Sequence, residues 1–199
     1  MTHEQAKEEM KKTLSPKRFL HVLAVAEEVG DMCEIFGFAD RDRLITSALL
    51  HDCTKPFSYE EHLSYARLNG LSLSEDDICS PEVLHARTGA LRAEHEFGTD
   101  GKEIFCHTTG KEDMTLSEKI LFLADYIEKT RQHEICLKTR AEFYSSLKNN
   151  PENKLRILDE TVLKVLENTV RYLQEKQFFI HSDTLRAIDF LKEDLNETK

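Results

Sequence analysis

The chain has 199 residues, 40% of them hydrophobic, and carries a net charge of −10 from 37 acidic and 27 basic side chains. That supplies one substantial core, expected as a single domain over residues 1–199, and excludes a disordered chain. The acidic excess argues against a nucleic acid polymer as partner, but a small anionic substrate at a metal site remains open because bound cations reverse the local field.

From the N-terminus, Thr2 to Glu9 is polar and charged, unlike a secretory signal, and no apolar run approaches the ~20 residues that span a bilayer. No membrane partner is therefore expected. Ser15-Pro16 reads as N-cap and first helical residue, followed by an apolar stripe of Phe19, Leu20, Leu23, Ala24 and Ala26. Phe36-Gly37-Phe38 marks a helix end, and so does Phe97-Gly98. Ser80-Pro81 and Asn150-Pro151 repeat the Ser15-Pro16 pattern, and Ser58 with Glu61, Asp100 with Glu103 and Thr115 with Glu118 have capping-box spacing. Residues 151–176 form a long helical pattern, and a last helix is expected from Ser182 with Leu185, Ile188, Leu191 and Leu195. Strand alternation is absent, so the fold class is all-α.

The cysteines are Cys33, Cys53, Cys79, Cys106 and Cys136. Their odd number and the lack of a CxxC speak against a disulfide framework and for a reducing, cytoplasmic setting. Cys53 and Cys106 flank candidate ligands and read as small buried thiols ahead of zinc ligands.

Ligand-type residues recur in or beside apolar helical stretches. His51-Asp52 ends the run Leu44-Ile45-Thr46-Ser47-Ala48-Leu49-Leu50, with Lys55 close behind. His21 precedes it, and His85, His107 and Asp125 follow. Imidazole nitrogen and carboxylate oxygen hold divalent iron, manganese or zinc in water-activating sites. An ionised Asp52 buried without a partner would be very costly, and a metal removes that difficulty. Arg18 lies one turn before His21, as an anion receptor beside a ligand. Thr108-Thr109-Gly110 after His107 offers hydroxyls and backbone N–H groups to a phosphate or base. His3, His62, His95, His133 and His181 lie among polar residues or near helix ends and read as ordinary histidines.

Arg18 with His21, His51-Asp52-Cys53-Thr54-Lys55, Val83-Leu84-His85 with Gly89-Ala90, His107-Thr108-Thr109-Gly110, Met114, Ala124-Asp125-Tyr126-Ile127-Glu128 and Arg131 together resemble the HD superfamily of metal-dependent phosphohydrolases. Within it they look like the YqeK family of bacterial symmetrical diadenosine tetraphosphate hydrolases. Lys129 stands where a proline is often expected, and Cys53 replaces a usual aliphatic.

The resemblance implies an HD-domain helical bundle with a core at about residues 15–131 and a C-terminal helical extension, 132–199. It implies two metal ions, iron first and manganese or zinc as alternatives. His21, His51, Asp52 and Asp125 would hold one, and Asp52, His85 and His107 the other, with Asp52 bridging. Asp52 and Lys55 are the expected catalytic residues. Arg18, Lys55, Thr108, Thr109, Gly110 and Arg131 are the expected substrate contacts, and two ADP the expected products. A homodimer is a candidate assembly. Two other readings stand beside this one: another HD-type phosphohydrolase acting on nucleoside monophosphates, and a non-catalytic nucleotide-binding module.

Overall fold

The computed structural model describes residues 1–197, and among them there are eleven α-helices and no strand. The first, α1 (His3–Thr13), is held by a capping box between Thr2 and Gln5 and buries only Ala6 and Met10. So sparse a stripe leaves little periodic signal, which is why it escapes the sequence reading. It packs on α3 (Arg41–Leu50).

The centre is α2 (Pro16–Phe36), started by the Ser15 side chain accepting from Arg18 N–H and stopped by Gly37 at φ 68°. It lies against α3 and α8 (Leu116–Ile127). The apolar run that closes α3 is buried, with Leu44, Ala48, Leu49 and Leu50 all fully enclosed. It drives the residues that follow, His51 and Asp52, into the interior. The capping boxes expected at Ser58 and Thr115 start α4 (Tyr59–Leu68) and α8.

Pro81 opens a 3-10 turn, 81–83, that leads into α6 (Leu84–Phe97), so that His85 lies in its first turn. The short α7 (Lys102–Cys106) ends at His107.

The box expected at Asp100 and Glu103 does not form. The N-cap of α7 is Gly101, where a Cβ would come within 2.5 Å of the Ala90 carbonyl oxygen. Glu103 is fully buried instead and takes both arms of the Arg43 guanidinium, at 2.8 and 2.9 Å. The pairing outweighs the cap because a buried carboxylate needs a charged partner.

The last three long helices, α9 (Glu134–Asn149), α10 (Lys154–Glu175) and α11 (Ser182–Glu197), cover α8 through α9 and α10, with α11 against α10. They carry none of the expected ligands. The start of α11 is tied to the core by Arg87, a fully enclosed arginine on α6. It donates from Nε to Asp77 on α5 (Glu75–Cys79) at 2.7 Å, from Nη1 to the Phe105 carbonyl, and from Nη2 to Asp183 on α11 at 2.7 Å.

His181, read from sequence as ordinary, is buried beside this group. Its Nδ1 accepts from Asp183 N–H, and its Nε2 faces Asp77 Oδ1 at 3.2 Å. His62 is likewise buried, with Nδ1 on the Thr88 hydroxyl at 2.8 Å. Both are structural histidines whose partners come from distant segments, which local composition does not reveal.

Removing the shared guanidinium takes from Asp77 and Asp183 the buried charge that joins them, so Arg87→Ala should destabilise the protein by on the order of 3 kcal/mol in urea unfolding. Asp77 adds a pH signature. Burial acts to raise its pKa, but hydrogen bonds from His181, Arg87 and the Ser74 backbone overcome this and hold it well below the usual carboxylate range. Its contribution is therefore complete above the unfolded value of about 4 and is lost as pH falls through the lower folded value. The stability gap between wild type and Asp77→Asn should be full near neutrality and shrink in acid; a gap that widens in acid would contradict the assignment.

Candidate metal centre

Four imidazoles and two carboxylates meet between α2, α3, α6, α7 and α8. His21 comes from the middle of α2, His51 and Asp52 from the end of α3, His85 from the first turn of α6, His107 from the end of α7 and Asp125 from α8. All are buried except Asp125, whose side chain is 19% exposed.

The proton positions on the four rings follow from their partners. His51 Nδ1 lies 2.7 Å from the Ala48 carbonyl, His85 Nδ1 2.7 Å from the Glu82 carbonyl, and His107 Nδ1 2.7 Å from the Ile104 carbonyl. Each is a contact three residues back along the chain. A carbonyl only accepts, so Nδ1 carries the proton in all three and Nε2 presents a lone pair. His21 Nδ1 reaches a carboxylate instead, Glu128 Oε1 at 3.1 Å, with the same consequence.

Four lone pairs therefore converge on two carboxylates. Asp52 Oδ2 lies 3.7 Å from His21 Nε2 and 3.4 Å from His51 Nε2, while its Oδ1 lies 3.3 Å from His85 Nε2. Asp125 Oδ1 lies 3.0 Å from His21 Nε2, and the Nε2 atoms of His85 and His107 face each other at 3.1 Å. His21 Nε2 and His51 Nε2 are buried and have no hydrogen-bond donor to meet them. Lone pairs facing lone pairs at such distances are repulsive unless a cation sits among them. His21, His51 and Asp125 form one group of donor atoms lying within 4.8 Å of one another, and His51, Asp52 and His107 form a second. The residues fit a divalent metal centre, with donors of the kind iron, manganese and zinc accept.

The titration behaviour agrees. Burial, with His107 beside it, holds His85 far below its ordinary value, and burial with His51 lowers His107 to about 4. Both are neutral ligands at physiological pH. Burial opposes charge on His51, but Asp52 and Asp125 outweigh it and raise its pKa. Burial also opposes ionisation of Asp52 and Asp125. The neighbouring His51 overcomes it for Asp52, and His21 and Arg131 for Asp125, so both stay ionised.

Cations surround this core. Arg18 Nη1 donates to Asp52 Oδ2 at 2.9 Å, and Arg131 Nη2 to Asp125 Oδ1 at 2.7 Å. Both arginines line a cleft of about 370 Å³ that also meets Lys17, His21, Glu128 and His133. On the His85 side, Lys55 Nζ lies 3.2 Å from His85 Nδ1, and burial lowers its pKa. Because His85 Nδ1 already donates to Glu82, the ammonium gains no acceptor there and keeps its protons for another anion. Lys55 and His85 line a second cleft, of about 210 Å³.

Thr108, Thr109 and Gly110 are placed differently from one another. The Thr108 hydroxyl is enclosed without a partner. The Thr109 hydroxyl donates to the Gly110 carbonyl, and the Thr109 carbonyl accepts from Thr184 on α11. Gly110 N–H is used on Cys106, its φ is 65°, and a Cβ there would lie 3.2 Å from Leu166. The Thr109 hydroxyl, the Thr109 carbonyl and Gly110 N–H are thus engaged within the fold, the carbonyl by α11. Cys53 and Cys106 are buried thiols, as expected: burial pushes Cys53 up to about 12, its Sγ faces the Gly89 carbonyl, and neither thiol joins the donor groups.

Glu128 is the functional residue that sequence reasoning underrated. It follows Asp125 by three residues and enters the sequence reading only as part of the Ala124–Glu128 motif, with no role of its own, yet it is fully buried. One oxygen meets His21 Nδ1, and Thr130 donates to the same carboxylate at 2.6 Å. Its one sequence signal is its place at the end of a helix that is apolar up to Asp125. Carboxylates behind a ligating imidazole fix its tautomer and raise its basicity. Glu128→Gln should therefore weaken metal binding about 10- to 100-fold in a chelator competition assay. Unchanged affinity would remove Glu128 from the centre.

Comparison with known proteins places this constellation. The HD domain model matches residues 18–130. A relative from Halalkalibacterium halodurans named "Bis(5'-nucleosyl)-tetraphosphatase, symmetrical" is 31% identical over 197 residues, covering 96% of this chain and 97% of that protein. A Staphylococcus aureus relative of the same name is 30% identical, covering 96% of this chain and 94% of its own. A crystal structure from Clostridium acetobutylicum, described as an HD superfamily hydrolase involved in NAD metabolism, superposes with a TM-score of 0.86 at 26% identity, over 98% of each chain. With its ligand-bearing helices inside the matched region and its whole length shared with these relatives, the chain belongs to the HD domain family, in the YqeK-like group of symmetrical bis(5'-nucleosyl)-tetraphosphatases.

Proposed function

We propose that this protein hydrolyses diadenosine tetraphosphate at the centre of its phosphate chain, releasing two ADP. The reading is carried by Asp52, whose two oxygens face different imidazole groups, Oδ2 toward His21 and His51 and Oδ1 toward His85. A carboxylate so placed suits a pair of cations. His21, His51, Asp52 and Asp125 would hold one ion, Asp52, His85 and His107 the other, and iron is the metal proposed, with manganese or zinc also suited to the donors. When bound, such a pair supplies an activated water and neutralises phosphate charge.

The chain's own residues supply the rest. Lys55, held on the His85 side with protons to donate, takes oxygens of one phosphate group. Arg18 and Arg131, on the His21 side, take oxygens of the phosphates beyond the scissile bond. Preorganised cations at the oxygens where charge develops favour expulsion of a diphosphate without a strong general acid. Water adds to one of the two central phosphorus atoms, the bridging anhydride bond breaks, and its oxygen leaves on the other half, so each half is ADP. The names of the full-length relatives support the central position of the cut.

After anaerobic loading with iron or manganese, chromatography of the first few per cent of turnover should show ADP as the only nucleotide product. AMP and ATP in equal amounts would overturn the symmetrical cut. Metal analysis should give two ions per chain in the wild type, and near-complete loss of both in Asp52→Ala. His85→Ala should lose chiefly one. Two ions retained in Asp52→Ala would remove the bridging role.

A further inference from the structure

The second cleft, on the His85 side of Asp52, has a composition that the reaction alone does not require. His85, beside Asp52, and Lys55, beside His85, line it, and Phe57, Tyr59, His62 and Glu82 are among its other walls. From Asp52 outward the order is thus cation, then aromatic rings. That is the order of a nucleotide, phosphate first and base last.

The rings differ in their freedom. Phe57 is locked in place, with its centroid 5.5 Å from the His62 ring and 5.7 Å from the Tyr65 ring, and Arg92 lies 6.0 Å over its face. Tyr59, the first residue of α4, is half-buried, and among the described residues it makes no ring contact and no side-chain hydrogen bond. It is an aromatic face at a cleft mouth with nothing stacked on it.

The arginine-lined cleft is unlike this one. Lys17, Arg18, Arg131 and His133 give it charge, and neither Phe, Tyr nor Trp lines it.

We propose that the cleft bounded by Lys55, Phe57 and Tyr59 is a nucleobase subsite, in which Tyr59 stacks on the base of one nucleotide half while the other half lies in the arginine-lined cleft. The site is then asymmetric although the substrate is symmetric. One half is held by its base, the other by its phosphates. The placement of the two halves rests on the proposed function; the affinity of the aromatic cleft for a base does not. Size is consistent with this division, since about 210 Å³ is small for a whole dinucleotide and the charged cleft, at about 370 Å³, is the larger.

Stacking of a base on an aromatic side chain is sequence-tolerant, so the subsite should take adenine and guanine alike. Polar discrimination between purines would need fixed donors and acceptors there.

The test compares ligands with and without a base. Manganese-loaded wild type, Tyr59→Ala and Tyr59→Phe are titrated calorimetrically with ADP and with inorganic pyrophosphate. Tyr59→Ala should weaken ADP binding about tenfold or more, leave pyrophosphate binding unchanged, and Tyr59→Phe should restore ADP affinity. Equal loss for both ligands, or no loss for ADP, would overturn the subsite. Failure of the proposed function shows separately: wild type that releases no ADP from diadenosine tetraphosphate overturns the function, while the ADP and pyrophosphate titrations still decide the subsite.

Discussion

A buried carboxylate with no hydrogen-bond donor from the backbone and a ring nitrogen near each oxygen is the constraint on which the rest of this molecule depends. Asp52 is 2% exposed, and of its close neighbours only Arg18 has protons to give it. Three of the imidazoles around it present lone pairs. An arrangement of this kind is unfavourable in an apolar interior by several kcal/mol per unpaired group, and the surrounding fold must hold it against that cost. The fold does so with the fully enclosed side chains at the end of α3, which leave the residues after Leu50 no path back to water. Folding energy is thus stored as an unmet demand for positive charge, and a divalent cation meets it.

The tautomers are set by a second, local device. Three of the four rings use the same contact, Nδ1 to the carbonyl three residues earlier, at the end of α3, in the first turn of α6 and at the end of α7. At the ends of α3 and α7 the last carbonyls have no full intrahelical partner, and before α6 the 3-10 turn presents the Glu82 carbonyl. His21 sits in mid-helix, where its backbone neighbours are already paired, and so takes its orientation from Glu128 across the domain. The one ligand without a terminal carbonyl is the one that needs a distant carboxylate.

The contrast also explains what was readable in the sequence. The candidate ligands stood out because each is a polar residue at the end or in the middle of an apolar helical stretch, a pattern that burial alone does not favour. Helix boundaries at Ser15, Gly37, Ser58, Gly98 and Thr115 were readable because capping chemistry is local. Glu103, Glu128 and His181 were not, because their partners Arg43, His21 and Asp77 lie 60 to 107 residues away. Thr109 likewise has a distant partner that its local sequence does not reveal. Hydroxyls and a flexible glycine after a ligand suit a phosphate, but α11 arrives from the far end of the chain and uses the Thr109 carbonyl first. The aromatic wall at Phe57 and Tyr59 carried no periodic signal, since it turns a corner into α4.

The 107-residue span between His21 and Glu128 has a further consequence for how the protein is made. Synthesis proceeds from the N-terminus, so His21, His51, Asp52 and His85 leave the ribosome before Asp125 and Glu128 exist. Contacts of long sequence separation form late and slow the search for the native state. During that interval four candidate ligands and the four thiols that precede Asp125 share an incompletely packed chain, free to capture metal ions in arrangements the finished protein excludes. The neutral state of His85 and His107 and the high pKa of Cys53 arise from burial, so they are acquired only as the helices around them pack. Selectivity for the metal is therefore a property of the closed domain, and metal arriving after closure meets a different protein from metal arriving before it.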